Sequence, residues 1–190
     1  RYADRGYTHL HLHCRQNDWF LNRETEAALE VIETYADGFE SAAGIGFSMG
    51  GYGAMLVSRV VDFDRVLMVS PHITFSEHQY PYETRFPAHM ANVGRALKLN
   101  ERVVAGPPAR ARAAVIYDAR VAGDLYHAET AGGRFARFEL VDLPGGGHPA
   151  TTALTRAGHF NLVLDAITGT GDRPALDMGP IRRAHAGLAS

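Results

Sequence analysis

Residues 44–54 read GIGFSMGGYGA and place Ser48 among glycines, directly after a short apolar run. Glycine has no Cβ, so it permits tight turns and a close approach of two backbones that larger residues prevent. The apolar run over 43–47 has the length of a buried strand, and residues 50–60 are predicted to form a buried helix. The stretch therefore predicts a strand, a sharp turn at Ser48 and a helix in immediate succession.

Along the rest of the chain, predicted strands alternate with predicted helices. Strands are predicted where apolar and polar residues alternate or where a short apolar run occurs, and helices where apolar residues recur at i, i+3, i+4 and i+7. The predicted strands are residues 8–14, 43–47, 65–70, 113–117 and 138–143, and the predicted helices are residues 22–35, 50–60 and 150–169. Several of these strands are apolar on both faces. The pattern indicates an α/β fold, with a mainly parallel, doubly wound sheet and helices on both faces.

Length and composition fit one folded domain, because the 190 residues are 46% hydrophobic and 21% charged. The formal net charge of −2 offers no basic excess for a nucleic acid. No apolar run reaches the roughly 20 residues that span a bilayer. We expect a single domain over 1–169, with a lid-like or cap-like insertion at about 74–109, and a loose or surface-docked tail over 170–190.

The compartment is less well defined by the sequence. Cys14 is the only cysteine, so no internal disulfide can form. Without a recognisable signal peptide, a cytoplasmic location is favoured. The chain begins at Arg1 rather than at an initiator methionine, so the sequence does not tell whether further residues precede it.

The residues Gly46-Phe47-Ser48-Met49-Gly50 match G-x-S-x-G, the nucleophile elbow in which a strained strand-to-helix turn exposes a serine hydroxyl. Gly46 and Gly50 are expected to let the strand and the helix approach closely. The backbone N–H of Met49, at the helix N-terminus, is the predicted first donor of an oxyanion hole.

A serine hydroxyl needs a neighbouring base, and in this motif an acid and then a histidine follow later in the chain. His148 ends the glycine-rich loop LPGGGH after the strand predicted over 138–143, and it is the predicted base. With these motifs the chain resembles the α/β-hydrolase superfamily over roughly residues 8–169. The resemblance implies a serine esterase or related hydrolase with a catalytic triad and no cofactor or metal ion, although N-terminal strands of that fold are not evident here.

Two residues are candidates for the acid of the triad. Asp118 directly follows a predicted strand, and the surrounding sequence YDAR resembles the acid motif of the hormone-sensitive-lipase-like esterases, except that Ala119 stands where proline is usual. Asp124 lies six residues further on and can instead cap a short helix that begins GDLYHAE. Asp118 is preferred and Asp124 is the second choice. Either carboxylate would accept the His148 N–H and stabilise the imidazolium formed during attack.

The second oxyanion donor and the substrate pocket are predicted only in outline. The loop over 15–20 lacks the HGG-type motif of lipases, and a backbone N–H of Gln16 or Asn17 is the predicted second donor. A small-molecule acyl ester is the expected substrate. Aromatic and histidine side chains near strand ends are expected to contact it, with core packing as the alternative: Trp19, Phe20, His72 and Phe75.

Two other functions fit parts of the sequence. His9, His11 and His13 alternate, so a strand would point all three imidazoles to one face, where they could bind zinc in a metal-dependent hydrolase. The unmatched loop over 15–20 and the uncertain acid would instead suit a catalytically silent scaffold domain. The sequence does not distinguish esterase from thioesterase, amidase or acyltransferase, and it gives no oligomeric state.

Overall fold

The computed structural model describes residues 2–15, 17–73, 83–85, 106–171 and 174–188. Its centre is an open sheet of four parallel strands that lie side by side in chain order. The strands are β1 (Ala43–Phe47), β2 (Arg65–Val69), β3 (Ala109–Tyr117) and β4 (Phe135–Asp142). Because all three strand pairs are parallel, the carboxyl ends of the strands meet at one edge of the sheet. The predicted α/β class is confirmed.

Helices flank the sheet, and two of them connect β1 to β2 and β3 to β4. They are α1 (Thr25–Ala36), α2 (Met49–Val57), α3 (Asp124–Gly132), α4 (Thr152–Arg156), α5 (Asn161–Thr168) and α6 (Gly179–Leu188), preceded by a short 3₁₀ turn at Ala3–Arg5. In the part of the chain that the structure describes, no helix is long and apolar enough to cross a bilayer.

Both faces of the sheet are buried, as side-chain alternation along β3 shows. Val115 packs into a core that includes Leu29 of α1 and Met55 of α2. Ile116 points to the opposite face, into a core that includes Ile167 of α5 and Ile181 of α6. Burying one such aliphatic side chain stabilises the fold by about 1.5–3 kcal/mol. Helices on both faces therefore hold the strand ends in place.

Residues 8–14 are not a strand, contrary to the prediction. Extended backbone becomes a strand only where a neighbour exchanges hydrogen bonds with it, and none of the four described strands pairs with this segment. Its histidines are exposed, and Leu10 is exposed as well. The apolar and polar alternation was therefore misleading here.

The C-terminal part also departs from expectation. The single helix predicted over 150–169 is divided into α4 and α5 by a turn at Gly158, whose φ of 79° ends the first helix. The tail, which lacks a clear apolar period, contains α6, and Ile181 anchors α6 in the second core. Most of the predicted insertion, residues 74–82 and 86–105, lies outside the described residues.

Candidate active site

Ser48 occupies the turn between β1 and α2 in a strained backbone conformation, with φ 50° and ψ −118°. A positive φ at a non-glycine residue costs of order 1–3 kcal/mol and persists only where the surroundings enforce it. Three backbone hydrogen bonds do so here. The Ser48 N–H donates to the carbonyl of Val69 at 2.9 Å, and the Ser48 carbonyl accepts from Gly51 at 2.9 Å and His72 at 3.1 Å.

The glycines around Ser48 have different roles. A Cβ at Gly46 would overlap the carbonyl oxygen of Gly50, and one at Gly51 would lie 2.7 Å from Pro71 Cβ. Gly46 is therefore required for the close packing of β1 on α2, and Gly51 for the close packing of α2 on the segment that follows β2. The same expectation for Gly50 is wrong, because a Cβ there would meet no atom within 4 Å.

His148 reaches Ser48 from the loop that follows β4. Its Nε2 lies 2.9 Å from Ser48 Oγ, and its side chain is 22% exposed. Glycines shape this loop: Gly145 and Gly147 have φ values of 82° and 89°, which side chains other than glycine rarely adopt. The predicted serine and the predicted histidine are thus within hydrogen-bond distance.

The carboxylate beside His148 belongs to Asp124. Both Asp124 oxygens lie 3.2 Å from His148 Nδ1, and the Asp124 side chain is 0% exposed. The preference for Asp118 is corrected by this geometry. Asp118 is also buried, but its carboxylate accepts the backbone N–H of Gly147 and that of Arg120, each at 2.9 Å. Asp118, directly after β3, thus holds the backbone next to His148.

Asp124 is the first residue of α3 and does not cap it, because the N-cap position is Gly123. The carboxylate is available to side chains, and besides His148 it accepts a hydrogen bond from Arg85 Nη1 at 2.7 Å. Burial raises the pKa of the Asp124 carboxyl, but the hydrogen bonds and charges of His148 and Arg85 outweigh burial and hold this pKa below its usual range. Asp124 is therefore ionised beside the imidazole.

Behind Asp124 lies a buried polar cluster that the sequence analysis missed. Arg85 bonds Glu83 through Nη2, at 2.7 Å from Oε2, and through Nε, at 3.0 Å from Oε1. Glu83 Oε2 lies 3.0 Å from His72 Nε2 and 2.9 Å from His127 Nε2. One sequence signal was available: Asp124 and His127 are three residues apart, a spacing that puts them on one face of α3.

Protonation in this cluster follows from burial and hydrogen bonding. Burial, followed by the neighbouring His127, lowers the pKa of His72 to about 3, and burial likewise lowers the pKa of His127. For Glu83, burial acts to raise the pKa, but hydrogen bonds from Arg85 and His127 hold it well below its usual range. The cluster at neutral pH thus has two neutral imidazoles, a carboxylate and a guanidinium.

His72, Glu83 and His127 are the kind of ligands that zinc uses, and their ligand atoms lie within 4.8 Å of one another. Two contacts fit hydrogen bonding better than metal binding. The Ile73 N–H lies 3.3 Å from His127 Nδ1, which must then accept, so the proton of the neutral ring is on Nε2. A metal at Nε2 would require that proton on Nδ1. In addition, the Arg85 guanidinium already neutralises Glu83.

The three histidines of the N-terminal segment do not form such a group among the described residues. The rings of His9 and His11 have centroids 5.9 Å apart, those of His11 and His13 4.5 Å, and all three side chains are exposed. Because residues 8–14 are not a strand, the common face that the zinc hypothesis required is missing.

Three predicted substrate contacts are buried. Trp19 donates its indole N–H to the His72 carbonyl at 3.0 Å, and Phe20 packs against Gly53 of α2. His72 is fully buried against Glu83. These side chains support the site from within the core, because the loop before α1 folds back onto α2.

The other predicted contacts are less constrained by the structure. Phe75 and Gln16 lie outside the described residues. Asn17 is exposed, and its role as an oxyanion donor stays a prediction. Met49 is the first residue of α2, where backbone N–H groups have no partner within the helix.

Comparison with known proteins adds little to this geometry. No protein-family model matches the chain, and no curated protein matches it. An N-acyl homoserine lactone degrading enzyme is similar in structure, with a TM-score of 0.39, 11% identity, and coverage of 73% of this chain and 72% of that one. The N-acyl homoserine lactonase AidH, solved with N-hexanoyl homoserine, gives a TM-score of 0.33 and 12% identity, with 84% and 76% covered. Similarity this low carries no argument about activity.

Proposed function

We propose that this protein is a serine hydrolase of the α/β-hydrolase type that cleaves an ester or related acyl bond. One observation carries the proposal: a continuous chain of polar contacts runs from Ser48 Oγ to His148 Nε2 at 2.9 Å, and from His148 Nδ1 to Asp124 at 3.2 Å. The three residues come from three separate segments of the chain. They meet at the carboxyl edge of the sheet, where α/β proteins commonly place their sites.

The protonation states suit nucleophilic attack. Asp124 is ionised, so it accepts the Nδ1–H of His148 and leaves the Nε2 lone pair directed at Ser48. His148 takes the proton as Ser48 Oγ bonds to the acyl carbon. The Met49 N–H supports the negative charge that develops on the acyl oxygen. His148 then returns the proton to the leaving alcohol, and water, activated in the same way, hydrolyses the acyl-enzyme.

Two features favour a working enzyme over a silent scaffold. The strained backbone of Ser48 and the buried charge of Asp124 both cost stability, and neither is needed to fold a strand-to-helix turn. Strained residues and buried charges of this kind are typical of active sites. The second oxyanion donor is not assigned, and the scaffold alternative therefore has a direct test.

The test is covalent labelling with a fluorophosphonate probe, followed by intact mass and peptide mapping. We expect one adduct per chain at Ser48, no adduct in Ser48→Ala, and wild-type labelling in Ser58→Ala. Ser58 is a suitable control because it follows the C-terminal end of α2, and its Oγ donates to the Ala54 carbonyl of that helix. Equal labelling of wild type and Ser48→Ala would refute the proposal.

The acyl preference is then measured with p-nitrophenyl esters of increasing chain length and with an N-acyl homoserine lactone. The lactone tests a cyclic ester beside the open-chain esters. Loss of hydrolysis in Ser48→Ala, with the fold intact by circular dichroism, is the expected result for every substrate that the wild type cleaves.

A further inference from the structure

We propose that Arg85 is a positioning residue for Asp124, and that Glu83 is the counter-charge that leaves Asp124 free to stabilise the imidazolium of His148. This inference rests on the proposed hydrolase function. It assigns a role in that reaction to a pair of residues that neither the G-x-S-x-G motif nor the triad order points to.

The Arg85 guanidinium links two carboxylates. Arg85 Nη1 lies 2.7 Å from Asp124 Oδ1, an oxygen that is also 3.2 Å from His148 Nδ1. The other side of the same guanidinium holds Glu83. Because this group is planar and has its donors at fixed angles, it fixes the separation and orientation of the two carboxylates. A lysine ammonium, which is a single point charge, would not bridge them in this way.

The cluster around Asp124 has an excess of negative charge. Among the residues that the structure describes, the charged side chains of this cluster are Glu83, Arg85 and Asp124, with His72 and His127 neutral. The cluster therefore has one excess negative charge before attack. When Ser48 attacks and its proton moves to His148, the imidazolium brings the cluster to neutrality. The cluster therefore stabilises the positively charged His148 of the transition state more than the neutral His148 of the ground state. An interaction that is stronger in the transition state lowers the barrier to reaction.

Glu83 is necessary for this compensation. If Glu83 were neutral, Arg85 and Asp124 would already form a neutral pair, and this cluster would no longer offset the positive charge of the imidazolium, which would be balanced only by the oxyanion on the substrate. Hydrogen bonds from Arg85 and from His127, whose Nε2 lies 2.9 Å from Glu83 Oε2, keep Glu83 ionised and in place, and His72 Nε2 packs 3.0 Å from the same oxygen. The Ile73 N–H at His127 Nδ1 fixes the tautomer that donates toward Glu83.

The experiment compares the pH dependence of kcat/KM for wild type, Glu83→Gln, Arg85→Gln and Arg85→Lys, using the best p-nitrophenyl ester. Glu83→Gln removes a negative charge, so we expect the midpoint of the acid limb to fall by about 0.5–1 pH unit, with kcat lowered about tenfold. Arg85→Gln removes a positive charge, so its acid limb should move to higher pH while kcat falls about 10–100-fold. Arg85→Lys should keep the midpoint near that of wild type and recover only part of kcat.

Opposite shifts of the acid limb separate this role from mere support of the fold, which would change activity without moving the limb in opposite directions. Arg85 is 23% exposed, so its variants are expected to fold even if Glu83→Gln does not, and the Arg85 pair then tests the inference alone. Midpoints that stay fixed, or that move in one direction in both glutamine variants, would overturn it. The inference would also be overturned if the wild type bound one equivalent of a divalent metal and Glu83→Gln did not.

Failure of this inference is distinguishable from failure of the proposed function. If the wild type neither labels at Ser48 nor hydrolyses any ester, the hydrolase proposal fails and this inference fails with it. If Ser48 labels normally and the variants hydrolyse esters with unchanged acid limbs, only the role of Arg85 and Glu83 is refuted.

Discussion

Replacing Asp124 with asparagine keeps the size of the side chain but removes its charge, and the structure indicates how the new amide would orient. Asp124 Oδ1 is shared by Arg85 Nη1 at 2.7 Å and His148 Nδ1 at 3.2 Å. The side-chain amide of the Asp124→Asn variant offers one acceptor oxygen, and the guanidinium, which only donates, would take it. The amide NH₂ would then face His148 Nδ1, which must accept.

The consequence for the reaction follows from the tautomer. A neutral His148 that accepts at Nδ1 has its proton on Nε2, pointing at Ser48, so it cannot act as a base. Loss of the charge also removes the partner of the imidazolium. We expect kcat to fall by about 10³–10⁴-fold, as an Asp-to-Asn change does in the well-studied serine protease triad. KM should change little, because no substrate contact is altered.

Asp118→Asn is the matched control. Asp118 accepts one N–H at each carboxylate oxygen, from Arg120 and Gly147, and an amide keeps one of these two bonds. Loss of the other bond should destabilise the fold by about 1–3 kcal/mol and lower kcat by no more than about tenfold. Both variants are assayed with the same p-nitrophenyl ester, after titration of active sites with the fluorophosphonate probe. A larger loss of kcat in Asp118→Asn than in Asp124→Asn would refute the assignment of the acid.

Two further predictions concern the turn and the buried histidines. Gly46→Ala should lower the free energy of unfolding by more than about 3 kcal/mol, because the added Cβ would overlap the Gly50 carbonyl. In Gly50→Ala, the free energy of unfolding measured in urea should stay within about 1 kcal/mol of the wild-type value. Equal urea midpoints for the two variants would contradict the packing of β1 on α2. Because the pKa of His72 is lowered to about 3 in the folded state, the unfolded state binds more protons between roughly pH 6.5 and pH 3. The free energy of unfolding should therefore fall as the pH drops below about 6.5, by up to ~1.4 kcal/mol per pH unit from this residue. Urea unfolding at pH 7, 6 and 5 should show a shallower fall in His72→Gln, and an unchanged slope would argue against the buried neutral imidazole.

Much of the fold was predictable because its signals are local. β1, β2 and the second half of β3 are short apolar runs, and the alternation of strands with helical segments along the chain indicates a parallel sheet before any contact is known. The elbow is equally local, since G-x-S-x-G encodes the turn at Ser48 in five consecutive residues. His148 could be proposed because the chain order of the motif and a glycine-rich loop after β4 point to it.

The remaining features depend on contacts between distant segments. Asp118 and Asp124 follow the same strand, and only the path of the turn between them decides which carboxylate reaches His148. The cluster of Glu83 and Arg85 has no periodic pattern, since it forms where a short segment meets α3. Residues 8–14 have the alternation of a strand and still lack a strand partner in the described sheet. The sequence by itself determined most of the strands and the turn at Ser48, because those depend on local backbone preference and burial. Tertiary structure decided which carboxylate lies beside His148, which charged groups surround that carboxylate, and that the histidine-rich segment is not a strand, because hydrogen bonds and ion pairs depend on which distant groups come within about 3 Å of each other.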